Sequence, residues 1–176
     1  VFAAARGQVE ECRLETSYRS TPEITRMFAA LLGDGQRARL SSIQRDAEPP
    51  SIAAYEDEGA YRAALREAVD AARQGAGLTA IVVPWKHEAK RLQELLGEGA
   101  PELADDMGAL PAGGLVLLTL KLAKGLEFDQ VIVPDASARV FPDDPLSRRR
   151  LYTTVSRATR GLTILARGEL TPLLKR

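Results

Sequence analysis

Three short stretches carry residues whose types and spacing suit chemistry on a phosphate or a nucleic acid. "LETSYRSTPEI" (14–24) sets Tyr18 and Arg19 side by side just before a helix start. That start needs only a Ser20 or Thr21 cap, Pro22 in the first turn and Glu23 near the positive helix end. The tyrosine–arginine pair is surplus to it. "TLKLAKGLEFDQVIV" (119–133) joins two apolar runs through a Lys124-Gly125 pair and Glu127. Glycine at 125 admits a close backbone approach or a positive φ. Thr119 and Lys121 offer a hydroxyl and a charge suited to nucleic-acid phosphates, and Glu127 suits the hydroxyls of a ribose. Taken alone, the same residues also read as a plain strand–turn–strand connection with a solvated lysine. In "RRRLYTTVSRATRGLTIL" (148–165), Leu151, Val155 and Ala158 suit the buried face of a helix and Arg157 a different one. Arg148 to Arg150, placed in the first turn of that helix, oppose its dipole. That mild cost suggests partners, either Asp143 and Asp144 or an external anion, while the same run reads as a plain solvated face.

Other chemistries are excluded. A phosphate-binding P-loop needs G-x-x-x-x-G-K-[ST], and the chain has no Gly-Lys dipeptide; G-x-G-x-x-G is absent too. Asp135 closes the apolar run "VIVPD" as a Mg²⁺-binding aspartate would, but without a P-loop it reads as a strand-end turn residue. One cysteine, Cys12, and one histidine, His87, rule out an internal disulfide and a Cys- or His-rich metal centre. The predicted site holds no metal ligand.

The 176 residues are enough for one domain with a real core. Formal net charge is zero, so any nucleic-acid contact comes from a local patch and not from a global field. No apolar run is long enough to span a membrane. A soluble, cytoplasmic protein without membrane partners is expected. Residue 1 is valine, which suggests a piece cut from a longer polypeptide.

The elements that must position these residues alternate. Helical patterns cover 21–33, 56–75, 87–97 and 144–160. Strand patterns cover 38–43, 51–55, 78–85, 114–121, 130–136 and 161–167, with a Gly-, Pro- and Asp-rich loop at 97–114. Near-continuous apolar strands between helices predict a mostly parallel sheet covered on both faces, with ligands at the carboxyl ends of the strands.

In order, the three stretches resemble segments IV, V and VI of the superfamily 1 helicases of the UvrD/Rep type, over about residues 12 to 167. The "SYRS" form and compact layout look closest to the helicase IV/HelD-like branch. The resemblance implies a single domain over 1–176: an α/β, RecA-like three-layer sandwich, the second (C-terminal) motor domain of a helicase. It further implies that Tyr18 stacks on adenine, that Arg19 and Arg157 reach the γ-phosphate as arginine fingers, and that Glu127 binds the ribose. Gly125 would let backbone approach the phosphates, and Thr119 and Lys121, with Lys124 beside them, would contact single-stranded DNA. ATP and Mg²⁺ are the implied cofactors, with the ion held by an N-terminal P-loop motor domain of the same polypeptide.

Some positions depart from the family pattern. Lys121 stands where many relatives carry histidine, and Trp85-Lys86 where an arginine follows the strand. Trp85 is open to two readings, a packed aromatic or a base-stacking one. The short loop 97–114 leaves no room for the accessory domain of UvrD and Rep. The expected function is thus a motor-domain fragment of an ATP-dependent DNA helicase or translocase, inactive by itself. The alternatives are the motor domain of a HelD-like ATPase that remodels RNA polymerase, and a non-catalytic binding module.

Overall fold

The computed structural model describes residues 16–17, 20–32, 41–42, 49–106, 108 and 110–175. Tyr18 and Arg19 lie outside the described residues. So does most of the strand expected at 38–43, of which Ser41–Ser42 (β2) pairs in parallel with Thr16–Ser17 (β1).

The main sheet has five strands, all parallel: β3 (Ser51–Tyr55), β4 (Leu78–Val83), β5 (Gly114–Thr119), β6 (Phe128–Val133) and β7 (Ala158–Arg167). Their spatial order is β3-β7-β6-β4-β5. Side chains alternate across the central strands and both faces are dry, as buried parallel strands require. On β4, Ala80 and Val82 enter one core, while Ile81 and Val83 enter the other.

The first core is roofed by α1 (Pro22–Ala30), the one-turn α4 (Leu120–Ala123) and α5 (Pro145–Val155), through Ile24, Phe28, Ala123, Leu151 and Val155. The second is roofed by α2 (Glu58–Gln74) and α3 (Lys86–Leu96), through Tyr61, Leu65, Val69, Ala89, Leu92 and Leu96. Connections that run one way along the sheet, β3 to β4 and β4 to β5, place their helices on this second face. Those that run back, β5 to β6 and β6 to β7, use the first, as right-handed crossovers dictate. The three-layer α/β sandwich expected from the sequence is thus the observed fold.

Several boundaries move. The strand expected over 114–121 stops at Thr119, and residues 120–123 wind into a helical turn. The helix expected over 144–160 ends at Val155, and β7 starts at Ala158, so Arg157 lies on the turn between them and not on a helical face. Because α5 begins at Pro145, Arg148 to Arg150 fall in its second turn, beyond the strongest part of the dipole. Asp144 caps the helix, and Arg148 pairs with Asp143 at 3.4 Å. Ser147 also donates its hydroxyl to Asp144 at 2.7 Å. These bonds, the Ser147 hydroxyl first, hold the Asp144 carboxyl below the ordinary carboxylate range.

Candidate functional site

Two groups of the expected site residues stand at opposite ends of the sheet, about 20 Å apart for six-residue strands. At the carboxyl end of β5, Thr119 is half-buried and leads into α4, on which Lys121 is exposed. Lys124 is exposed just after the turn. Gly125 then opens the loop that leads to the start of β6, at φ +89° and with open space where a Cβ would stand. Its role in this backbone is therefore the left-handed conformation itself, which an L side chain adopts at a cost.

Glu127 and Arg157 meet at the other end, where β6 and β7 begin. Phe128 and Ala158 are paired across the two strands, so the residues just before them are neighbours. The Phe128 amide donates to the Arg157 carbonyl at 3.0 Å, and the Thr159 hydroxyl donates to the Phe128 carbonyl at 3.1 Å. The half-buried Arg157 guanidinium is held by its own surroundings. Nε donates to the Thr153 carbonyl at 3.1 Å, Nη1 to the Leu126 carbonyl at 3.2 Å and Nη2 to the Ser156 hydroxyl at 3.1 Å. The Leu126 bond ties the Gly125–Glu127 loop directly to Arg157. Glu127 itself is exposed.

Ser20 and Thr21, from the 14–24 stretch, are anchored to this same end. Ser20, 1% exposed, donates its hydroxyl to the Ala158 carbonyl at 2.7 Å, and the Thr21 amide donates to the Thr159 carbonyl at 3.2 Å. Thr21, and not Ser20, caps α1, by accepting from the Ile24 amide at 3.3 Å. The sequence left that choice open. A seryl hydroxyl drawn off to β7 leaves the cap to the next residue.

The match is to the UvrD-like helicase C-terminal domain. It runs over residues 114–165, and so takes in Thr119, Lys121, Lys124, Gly125, Glu127 and Arg157. The chain is also similar to the crystal structure of the C-terminal domain of a possible DNA helicase from Lactobacillus plantarum WCFS1. The identity is 29% and the TM-score 0.73, with 91% of this chain and 93% of that one covered. No protein of curated function matches the sequence.

The UvrD-like match leaves the carboxyl ends of β4 and β6 to be explained, where the connections depart to opposite faces and an open α/β sheet commonly takes its ligand. A small cavity there is lined by Tyr61, Glu88, Arg91, Asp135 and Arg167, with an apolar floor. Asp135 is consumed structurally. Oδ1 accepts from the amides of Ser137 (2.9 Å) and Arg167 (3.2 Å), and Oδ2 pairs with Arg139 at 3.0 Å. With those contacts Asp135 does not fit a Mg²⁺ ligand and is the strand-end turn residue expected from the sequence. No cluster of acidic, histidine or cysteine side chains fit for a metal occurs among the described residues, and no helix there is long and apolar enough to cross a membrane.

Sequence reasoning missed Ser156 and Ser20 as parts of the site. Their signal was adjacency, Ser156 to Arg157 and Ser20 to Arg19, but a hydroxyl beside an arginine is too common to single out.

Proposed function

We propose that this chain is the second motor domain of an ATP-dependent DNA helicase or translocase, acting on a nucleotide shared with a P-loop domain of the same polypeptide. The observation that carries the proposal is the Arg157–Leu126 bond. It joins the glycine loop and the arginine within the 114–165 region that resembles UvrD-like helicases.

In this reading ATP, with Mg²⁺ held by the P-loop domain, supplies the phosphoryl group to be transferred. Gly125 keeps the loop backbone open toward the phosphates, and Glu127 accepts from the ribose. Arg157 and Arg19 meet the charge that builds on the γ-phosphate once the cleft closes, and Tyr18 stacks on the base. Arginine suits the task because its planar guanidinium keeps its charge and presents donors in a fixed fork. The three acceptors around Arg157 orient that fork before nucleotide arrives. At the far end of β5, Thr119 and Lys121, followed by Lys124, contact single-stranded DNA. Movement of the two motor domains on hydrolysis would then shift the strand.

The test is ATP hydrolysis with and without single-stranded DNA, on this chain alone and on a protein joining it to its P-loop domain. Silence of the chain alone beside DNA-stimulated turnover of the joined protein is the expected result. Turnover in the joined protein that survives Arg157→Ala would refute the reading. A joined protein silent with DNA but active with RNA polymerase would move the function to polymerase remodelling.

A further inference from the structure

At the carboxyl end of β4, Trp85 sits in an assembly that helix and core requirements do not explain. β4 and β5 are in register, with Val83 opposite Thr119, so the segments carrying Trp85 and Lys121 leave the sheet at the same end. Trp85 occupies the N-cap of α3 and makes no side-chain capping bond there, whereas α1, α2 and α5 are capped by Thr21, Asp57 and Asp144. A residue that forfeits a cap at a helix start is locally unfavourable, and such breaches concentrate where function is served.

The indole packs partly against the first core, yet its π-surface gathers two planar side chains. The His87 ring stacks on it with centroids 5.3 Å apart and planes 11° from parallel. The Arg150 guanidinium, from α5, lies 4.9 Å from the ring centre. The His87 side chain is 71% exposed, so core packing does not hold it in place. Arg150 has no ion pair among the described residues, unlike Arg148 on the same helix. Asp144, whose charge Arg150 favours, caps α5; Glu88 accepts from Arg139 at 3.0 Å, with His87 at 3.6 Å, and Asp105 pairs with Lys86 at 3.1 Å.

We propose that Trp85 is a base-stacking platform for single-stranded DNA, that His87 is the planar placeholder a base displaces, and that Arg150 meets the adjoining phosphate. The proposal rests on the reading of the β5 end as a nucleic-acid contact, and extends it sideways onto β4 and α5. Its chemistry is general. Any base offers a π-face, and an arginine beside an indole adds both stacking and charge. The phosphate next to a stacked base would face Arg150.

Trp85 is the only tryptophan and His87 the only histidine of the chain, so the test needs no added probe on the protein. Emission of Trp85 is followed while oligothymidylate, or an abasic oligomer of equal length, is added at low salt, and affinity is read by anisotropy of labelled oligomers. Oligothymidylate should quench the emission and the abasic oligomer should not. Trp85→Leu, which keeps an apolar contact with the core, should weaken oligothymidylate binding by roughly tenfold and leave the abasic oligomer unaffected. His87→Ala should bind oligothymidylate as tightly as the parent or more so. If Trp85→Leu binds both oligomers like the parent while Lys121→Glu loses both, the platform is overturned and the DNA reading stands. Absence of binding to either oligomer overturns both.

Discussion

Arg139 and Arg157 both stand at strand ends, and both are held by more than one hydrogen bond, but their surroundings differ in kind. Arg139, past the carboxyl end of β6, is clamped between two carboxylates, Glu88 and Asp135, each at 3.0 Å. Burial works against its charge, but the hydrogen bond and attraction of Glu88, followed by those of Asp135, more than offset this. The guanidinium is held above the ordinary arginine value. Arg157, before the amino end of β7, is oriented in its described bonds by two main-chain carbonyls and a hydroxyl. A carboxylate clamp neutralises an arginine and makes it part of the scaffold. In these three bonds the Arg157 guanidinium is oriented by neutral groups. At the carboxyl end of β6, Asp135 and Arg139 are taken up by structural contacts. Arg157 and Glu127, proposed above to meet the nucleotide, stand instead at the amino ends of β6 and β7.

The largest effect that would break this comparison is catalytic. Arg157→Ala in the joined motor should cut ATP turnover by about 10³ or more, the scale of an arginine finger, while DNA affinity and thermal unfolding change little. Ser156→Ala comes next. It removes one acceptor from the guanidinium, so kcat should fall by roughly tenfold, the worth of one hydrogen bond to a charged group. KM should be unchanged and Ser156→Thr should restore activity. A purely structural serine would lower stability and leave kcat per folded molecule unaltered.

Arg139→Ala should act on the other side of the comparison. Glu88, 8% exposed, and Asp135 lose their shared partner, at a cost in stability of about 2 kcal/mol in urea unfolding. That is less than for a fully enclosed pair, because Arg139 is itself half exposed. Turnover per folded molecule should not change.

The smallest effect is a pH dependence. Tyr61 donates to the Pro134 carbonyl at 2.7 Å, and burial first, then the nearby Asp135 charge, push its phenol above the ordinary value of 10.0. The unfolded chain ionises near that value while the folded one does not, so above it the native state binds more protons. Stability is therefore intact below pH 10 and falls as pH rises beyond it. Tyr61→Phe should flatten that alkaline limb in a series of urea unfolding curves.

Much of this was legible in the residues. The continuous apolar runs at β4, β6 and β7 forecast a buried parallel sheet, and "AKGLEFD" and "SRAT" forecast the UvrD-like resemblance that residues 114–165 bear out. The extent of α5 was not legible. An apolar period that continues to Ala158 looks helical locally, whereas Ala158 is taken by a strand pairing with Phe128, far away in sequence. Thr119 to Ala123 misled for a similar reason, since a four-residue helical turn leaves no periodic trace. The roles of Tyr18 and Arg19 rest on the resemblance alone, because both lie outside the described residues.

Local residue pattern accounts for the order of elements, the two-sided burial of the sheet and the identity of the residues offered for chemistry. Each of these follows from periods of two and 3.6 residues and from side-chain type, which are local properties. Which end of the sheet those residues occupy, and what holds them, follows from long-range packing. The bond from Arg157 to Leu126 spans 31 positions, and the contact of Arg150 with Trp85 joins α5 to the end of β4. Right-handed crossovers brought those distant segments together, and nothing in the neighbouring residues encodes such a meeting.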